Sequence, residues 1–405
     1  MLAAIDRTLE LHRARRLTDS LFAEVQPEAL YDRGIPERHR VLFYLGHLEA
    51  FDWNQIGRAA LSLPPVSESL DQLFAFGIDP PPGQLPTDRP EDWPTVGQTL
   101  DYAKRVRAHV DAVIEQAPDV AASIAVEHRL MHAETFAYIL HNLPLDRRVA
   151  APAVVATSRA SSPIPRFIEI PAGTATLGRA SGTGFGWDNE FGAHSERVPA
   201  FSIGKHKVTN GDYLAFVEDG GPVPHYWLRA GLGWKYRAFA SELPLPLDWP
   251  VYASHNLAAA YAAWAGKRLP TEAQFQRAAF GTPDGDWRRY PWGDQPPDHG
   301  GRGNFDFDRR DPVSVTATPQ GDSAFGVSQL VGNGWEWTRS VFAPFPGFEP
   351  FPSYPGYSAN FFDDGHFVLK GAAPVTDRAL IRATFRNWFR PHYAYAYTTF
   401  RLVED

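Results

Sequence analysis

Two histidines stand four residues apart in the segment EHRLMHAET, His128 and His132. On an α-helix that spacing projects both imidazoles from one face, the geometry two ligands need to share one metal ion. A third, His47, lies inside the apolar run VLFYLGHLEAFDW. A helix facing the first would carry it to the same side of a bundle. His141, nine residues beyond His132, falls on the opposite side of its helix, and Glu127 and Glu134 point well away from the histidine face. The candidate ligands are therefore His47, His128 and His132, three neutral donors without a carboxylate. Such a set leaves coordination positions open. Zinc there would activate water, whereas iron(II) would serve dioxygen chemistry with substrates bound beside it. Ligand count alone does not choose between them.

The 405-residue chain contains no cysteine and only two methionines. That zero excludes disulfides, zinc fingers, iron–sulfur ligation and a cysteine nucleophile, so a metal must be held by His, Asp or Glu. The formal charge of −8 and the pI near 6.0 leave no basic footprint. Nucleic acid is not an expected partner. No apolar run approaches the ~20 residues a membrane span needs, and residues 1–21 carry charges throughout in place of a signal-peptide core. The expectation is a cytoplasmic protein with no membrane partner.

Two segments of different composition must position these side chains. Residues 1–148 carry helical patterns: a first with Leu2, Ile5, Leu9, Leu11 and Leu17 among charges, a second over about 37–63, a third over 95–116 and a fourth over 119–141. Asn142 and Pro144 end the last. Four such helices imply an antiparallel bundle. VAAPAVVATSRASSPIP, residues 149–165, has the composition of a linker. Residues 166–405 are rich in Trp, Gly and Phe, with short strand-like pieces such as RFIEI and HFVLKG and helices expected near 257–265 and 272–279. The expected fold class is α+β. Trp264, Trp335 and Trp337 are expected to fill the core, and the acidic run GNFDFDRRD (303–311) to be solvated loop carboxylates.

The strings VTNGDYLAF (208–216), AAAYAAWAGKRLPTEAQFQRAA (258–279), YPWGD (290–294), GVSQLVGNGWEWT (326–338) and TTFRLVE (398–404) resemble the formylglycine-generating-enzyme-type domain, a variant of the C-type-lectin fold. Formylglycine generation in that family depends on a cysteine pair, which is absent. A DinB-like bundle with one histidine plus HxxxH, fused to this domain, resembles the sulfoxide synthases of ergothioneine biosynthesis and their selenoneine-forming relatives. FGWDNEFGAH (185–194) and FRNW (385–388) resemble two further segments of that family. The resemblance implies non-haem Fe(2+) held by His47, His128 and His132. It also implies use of O2 to join a chalcogen to the imidazole of hercynine, a trimethylated histidine. YPGY (354–357) matches a family segment with two tyrosines three apart. The match makes Tyr354 the catalytic donor of a proton or hydrogen atom, its phenol being an O–H donor with a pKa near ~10. Tyr357, Asn387 and Trp388 would then contact hercynine, the Trp face attracting its quaternary ammonium.

Departures from the family bear on the chalcogen donor. Relatives that use γ-glutamylcysteine have an arginine pair after the second helix and an Asp directly after the Asn-Trp pair. Here residues 73–90 contain only Arg89, and Phe389 follows Trp388. KGAAP (370–374) stands where the family has RGGSW, and Met131 where some relatives have Gln. A carboxylate-rich thiol calls for bidentate Arg partners; an aromatic wall with Phe389 suits a sugar. The expectation is a selenosugar donor, giving a selenoxide that loses its sugar part to leave selenoneine. The alternatives are an ergothioneine-type sulfoxide synthase, a metal-dependent thiol transferase, and a lectin-like binding protein that needs no metal.

Overall fold

Helical periodicity decides the architecture of the first unit, Met1–Ala153; the second is Val154–Asp405. The computed structural model describes residues 6–78, 84–149, 161–297 and 301–404. Leu2 and Ile5, and most of the segment expected as a linker (150–160), lie outside the described residues. The bundle comprises α1 (Arg7–Phe22), α2 (Val41–Trp53), α3 (Glu68–Phe76), α4 (Val96–Val113) and α5 (Asp119–Asn142). Asp6 caps α1 by accepting from the Leu9 amide, and Thr95 with Gln98 closes a capping box on α4.

Four of these helices were expected, but two boundaries differ. The second begins at Val41, not near 37, and passes at Asn54 into a π-helical segment, Asn54–Ala60. Such wide turns insert a residue into the helical ladder and change which side chains face the neighbours. The fifth element, α3, falls partly in the 73–90 stretch expected as loop. It is short, and the prolines that follow it dominate the local composition.

Nearly all of α2 is buried, so both of its faces must find partners. Its Glu49 and Asp52 meet Arg129 of α5, whose guanidinium is fully buried. Arg129 donates to Glu49 at 3.1 Å, to Asp52 at 2.5 Å and to the Leu48 carbonyl at 3.0 Å. Arg107 of α4 bridges Glu49 to Asp19 of α1. Buried charges are tolerated only with this degree of pairing. The network fixes the register of α5 against α2, and so that of His128 and His132 against His47.

The second unit is built from short strands: β1 (Phe167–Ile170), β2 (Gly173–Leu177), β3 (His194–Val198), β4 (Phe201–Gly204), β5 (Trp227–Ala230), β6 (Gly233–Arg237), β7 (Glu242–Pro244), β8 (Trp335–Val341), β9 (Phe367–Lys370), β10 (Asn387–Phe389), β11 (Thr398–Thr399) and β12 (Val403–Glu404). They pair in the orders β1-β4-β12, β10-β9-β8-β11, β2-β3 and β5-β6-β7. Helices α6 (Asn210–Glu218), α7 (His255–Trp264), α8 (Glu272–Phe280) and the one-turn α9 (Gly356–Ala359) stand between them. The architecture is α+β. Phe275 and Phe280 of α8 pack with Ile170, Ile203 and Val403 in one core. Arg401, fully buried, binds Glu336 of β8 and ties the C-terminal strands to the central sheet.

Trp335 and Trp337 are core residues. Trp264 is not: it is 44% exposed, its indole N–H donating to Asp219 at 2.8 Å. The polar edge of the indole finds a carboxylate at the end of α6, which keeps the ring at the surface. The 303–311 run differs from expectation in part: Asp308 is exposed, but Asp306 and Asp311 are paired. Asp311 is buried and accepts from the Phe239 amide at 2.8 Å, and Asp306 pairs with Arg378. These carboxylates fix loops through their bonds to backbone and arginine instead of facing solvent.

Candidate metal centre

His47 projects from α2, and His128 and His132 from successive turns of α5. One ring nitrogen from each lies within 4.8 Å of the other two. Among the described residues this is the one group of three or more His, Asp or Glu side chains so arranged. Each ring is held by aromatic neighbours. His47 stacks on Phe43 (4.7 Å between centroids), one turn before it, and His128 lies flat on Phe51 at 3.3 Å, with an interplanar angle of 8°. Phe43, His47 and Phe51 recur at i, i+4, i+8, so one stripe of α2 supplies a ligand and the walls beside it.

The carbonyl of Phe74, on α3, lies 2.7 Å from His47 Nδ1. A carbonyl can only accept, so Nδ1 carries the proton and Nε2 keeps its lone pair for the cluster. Sequence reasoning missed this partner. It depends on Gly46, where a Cβ would lie 2.4 Å from the Phe74 ring. Glycine at 46 lets α3 descend onto α2. Gly46→Ala is therefore expected to push α3 away and weaken metal binding by about 10–100-fold, the usual effect of losing the hydrogen bond that orients a ligand. A metal titration of the variant checks this, and unchanged affinity would contradict it.

Burial pushes His47 down to about 4, and pushes His128 and His132 well below the usual imidazole range, with neighbouring imidazoles adding to the effect. All three are neutral at pH 7, the state a metal requires. Nδ1 of His132 is buried with no hydrogen-bond partner among the described residues. A converging set of neutral imidazoles, one fixed in its tautomer and one with an unmatched nitrogen, fits a borderline divalent cation.

The same burial sets a pH dependence of stability. An unfolded histidine takes its proton near ~6.5, but folded His47 only near 4. Between these values the unfolded state binds more protons, so the contribution is complete above 6.5 and lost as pH falls. For His47 the loss is about 1.4 kcal/mol per pH unit, and His128 and His132 act in the same direction. The urea midpoint of metal-free protein is expected to fall between pH 7 and 5. A flat midpoint would contradict burial of neutral imidazoles.

The remaining candidates lie in the second unit, in two groups. Tyr354 and Tyr357 have ring centroids 5.5 Å apart, and Tyr357 meets Trp388 edge-on at 5.4 Å. Trp187, inside the FGWDNEFGAH segment, stacks on Tyr357 at 3.9 Å. One face of Trp388 is covered by Phe342 at 4.2 Å, and Phe361 lies tilted against the ring at 5.5 Å. Along β10 side chains alternate, which directs Asn387 and Phe389 away from the Trp388 side. Phe389 stacks on Tyr393 at 4.9 Å in a separate group, and the Asn387 side-chain oxygen accepts from the Trp388 amide at 2.8 Å. Burial, with the charge of Asp188 adding to it, pushes the Tyr354 phenol up to about 12, so it remains an O–H donor across the physiological range.

Residues 152–405 match the sulfatase-modifying factor enzyme 1-like domain, and residues 10–140 the DinB superfamily. The chain is 38% identical over 239 residues to hercynine oxygenase of Mycobacterium tuberculosis, covering 54% of this chain and 56% of that protein. It is 33% identical over 344 residues to hercynine oxygenase of Mycolicibacterium smegmatis, covering 75% and 77%. Ergothioneine biosynthesis protein 1 of Neurospora crassa is 26% identical over 93% of this chain and 55% of its own length. The chain thus spans about half the length of the first and third of these relatives.

Proposed function

The chain belongs to the sulfatase-modifying factor enzyme 1-like family, which it shares with the hercynine oxygenases, and from that membership we propose that it is an iron(II)- and O2-dependent enzyme joining a chalcogen to hercynine. The observation that carries this is the convergence of His47, His128 and His132 within 4.8 Å. Iron(II) bound by these residues would supply the place where dioxygen is activated and the two substrates react. Written as a balance, an imidazole C–H, a chalcogenol R–SeH or R–SH, and O2 give the C–Se(O)–R or C–S(O)–R product and water.

The chain's own residues have separate tasks. The Phe74 carbonyl holds His47 in the tautomer that presents Nε2. Tyr354 keeps its phenolic proton at neutral pH and delivers it during reduction of dioxygen. Tyr357 and Trp388 line the hercynine pocket, where an aromatic surface attracts a quaternary ammonium. Asn387 orients the Trp388 backbone through its bond to that amide.

For the donor, the proposal is a selenosugar, with selenoneine as the final product. Two arginines next to the 84–93 loop, Arg33 and Arg40, both close on the buried carboxylate of Asp88, and Arg89 is exposed beside Asp92. Phe389 and Tyr393 offer stacked aromatic rings. The names of the relatives favour a second reading, an ergothioneine-type sulfoxide synthase with a thiol donor. Iron-loaded protein given hercynine, O2 and both donors in competition separates the two by mass spectrometry. A selenium-containing adduct as the main product is expected; turnover with γ-glutamylcysteine and none with the selenosugar would contradict the selenium assignment.

A further inference from the structure

Tyr354 and Tyr357 lie on a short turn that has little secondary structure of its own. Its internal backbone bonds run from the Tyr354 amide to the Phe351 carbonyl (3.0 Å) and from the Tyr357 amide to the Tyr354 carbonyl (3.2 Å), and α9 adds a single turn. A one-turn helix is not self-supporting in water. Something outside must hold it.

The support comes from the 187–190 turn, far away in sequence. Asp188, 1% exposed, accepts the hydroxyl of Ser358, which is fully buried. The carboxylate thus holds residue 358, immediately after the segment that carries both tyrosines. Asn189 donates to the Ser358 oxygen at 2.9 Å, and Trp187 covers Tyr357 at 3.9 Å. The gripping turn is itself fixed. Glu190 binds the Arg382 guanidinium with both oxygens and accepts from Thr384 at 2.6 Å, while the Asn189 carbonyl accepts from Arg386 at 3.3 Å.

We infer that Asp188 and Ser358 are positioning residues that clamp the tyrosine turn in its reactive orientation. Neither touches a reacting atom; both act through Tyr354 and Tyr357. A carboxylate suits the task because bonds to a charged acceptor are the stronger kind. Only the link to turnover rests on the proposed function.

Hydrogen–deuterium exchange of the full chain tests the clamp without an assay. In S358A the amides of residues 354–361 are expected to exchange about 10-fold faster or more, with those of the bundle helices unchanged. D188N is a second variant, in case the first perturbs folding. Unchanged exchange at 354–361 in both overturns the clamp. Kinetics then test the link. S358A is expected to lower kcat about 10-fold in the wild-type background but less than about 2-fold in a Y354F background, because the two changes remove one function. Losses that multiply overturn the positioning role. If wild-type protein leaves hercynine untouched, the functional reading fails, and exchange still decides the clamp.

Discussion

His128→Ala is expected to remove metal binding and turnover together. Three neutral donors are the whole of the proposed ligand set, and the His128 ring lies 5.2 Å from that of His47 and 4.4 Å from that of His132 between centroids. Losing a ligand costs more than the ~100-fold that loss of a supporting hydrogen bond brings. The bundle itself should survive. Its register is set by the Arg129, Glu49 and Asp52 network, which does not involve the imidazole. His141→Ala is the matched control, since His141 is equally buried on the same helix yet outside the cluster. Elemental analysis after dialysis, with circular dichroism to verify folding, reads the result. Retained iron and full rate in the His128 variant would refute the ligand set.

Tyr354→Phe is expected to lower kcat by about 10²–10³-fold while changing hercynine affinity by less than about 3-fold. A positioned acid contributes on this scale, and phenylalanine keeps the ring beside Tyr357 while deleting only the O–H. Burial and Asp188 hold the phenol protonated, so the wild-type rate should show no loss from Tyr354 ionisation below about pH 9. Single-turnover kinetics with anaerobic hercynine titration separate the two parameters. Full kcat in the variant would assign the proton to another group.

The histidine cluster was legible because its signal is local: four-residue spacing on one helix, and an imidazole inside an apolar run on another. The partner of His47 was not, because α3 is short and lies next to proline-rich chain. Its signals were present nonetheless. Ser67 precedes it, Glu68 and Asp71 stand in its first turn, and Gly77 ends it with a φ of 76°. Trp264 misled because aromatic residues usually fill cores, and nothing local announces a carboxylate 45 residues away. The clamp on the tyrosine turn was out of reach for the same reason. Asp188 and Ser358 are 170 residues apart, and only the fold brings them together. The alternation along β10 could have been read in advance: Trp388 and Phe389 are neighbours in sequence, so a strand must send them to opposite sides.

The most direct test of the account is oxygen consumption by anaerobically prepared, iron(II)-loaded protein given hercynine and a chalcogen donor. Rapid uptake of one O2 per hercynine consumed is expected, with none in zinc-loaded wild-type protein or in the His128→Ala variant. Equal turnover with zinc, or product formed without oxygen uptake, would contradict it.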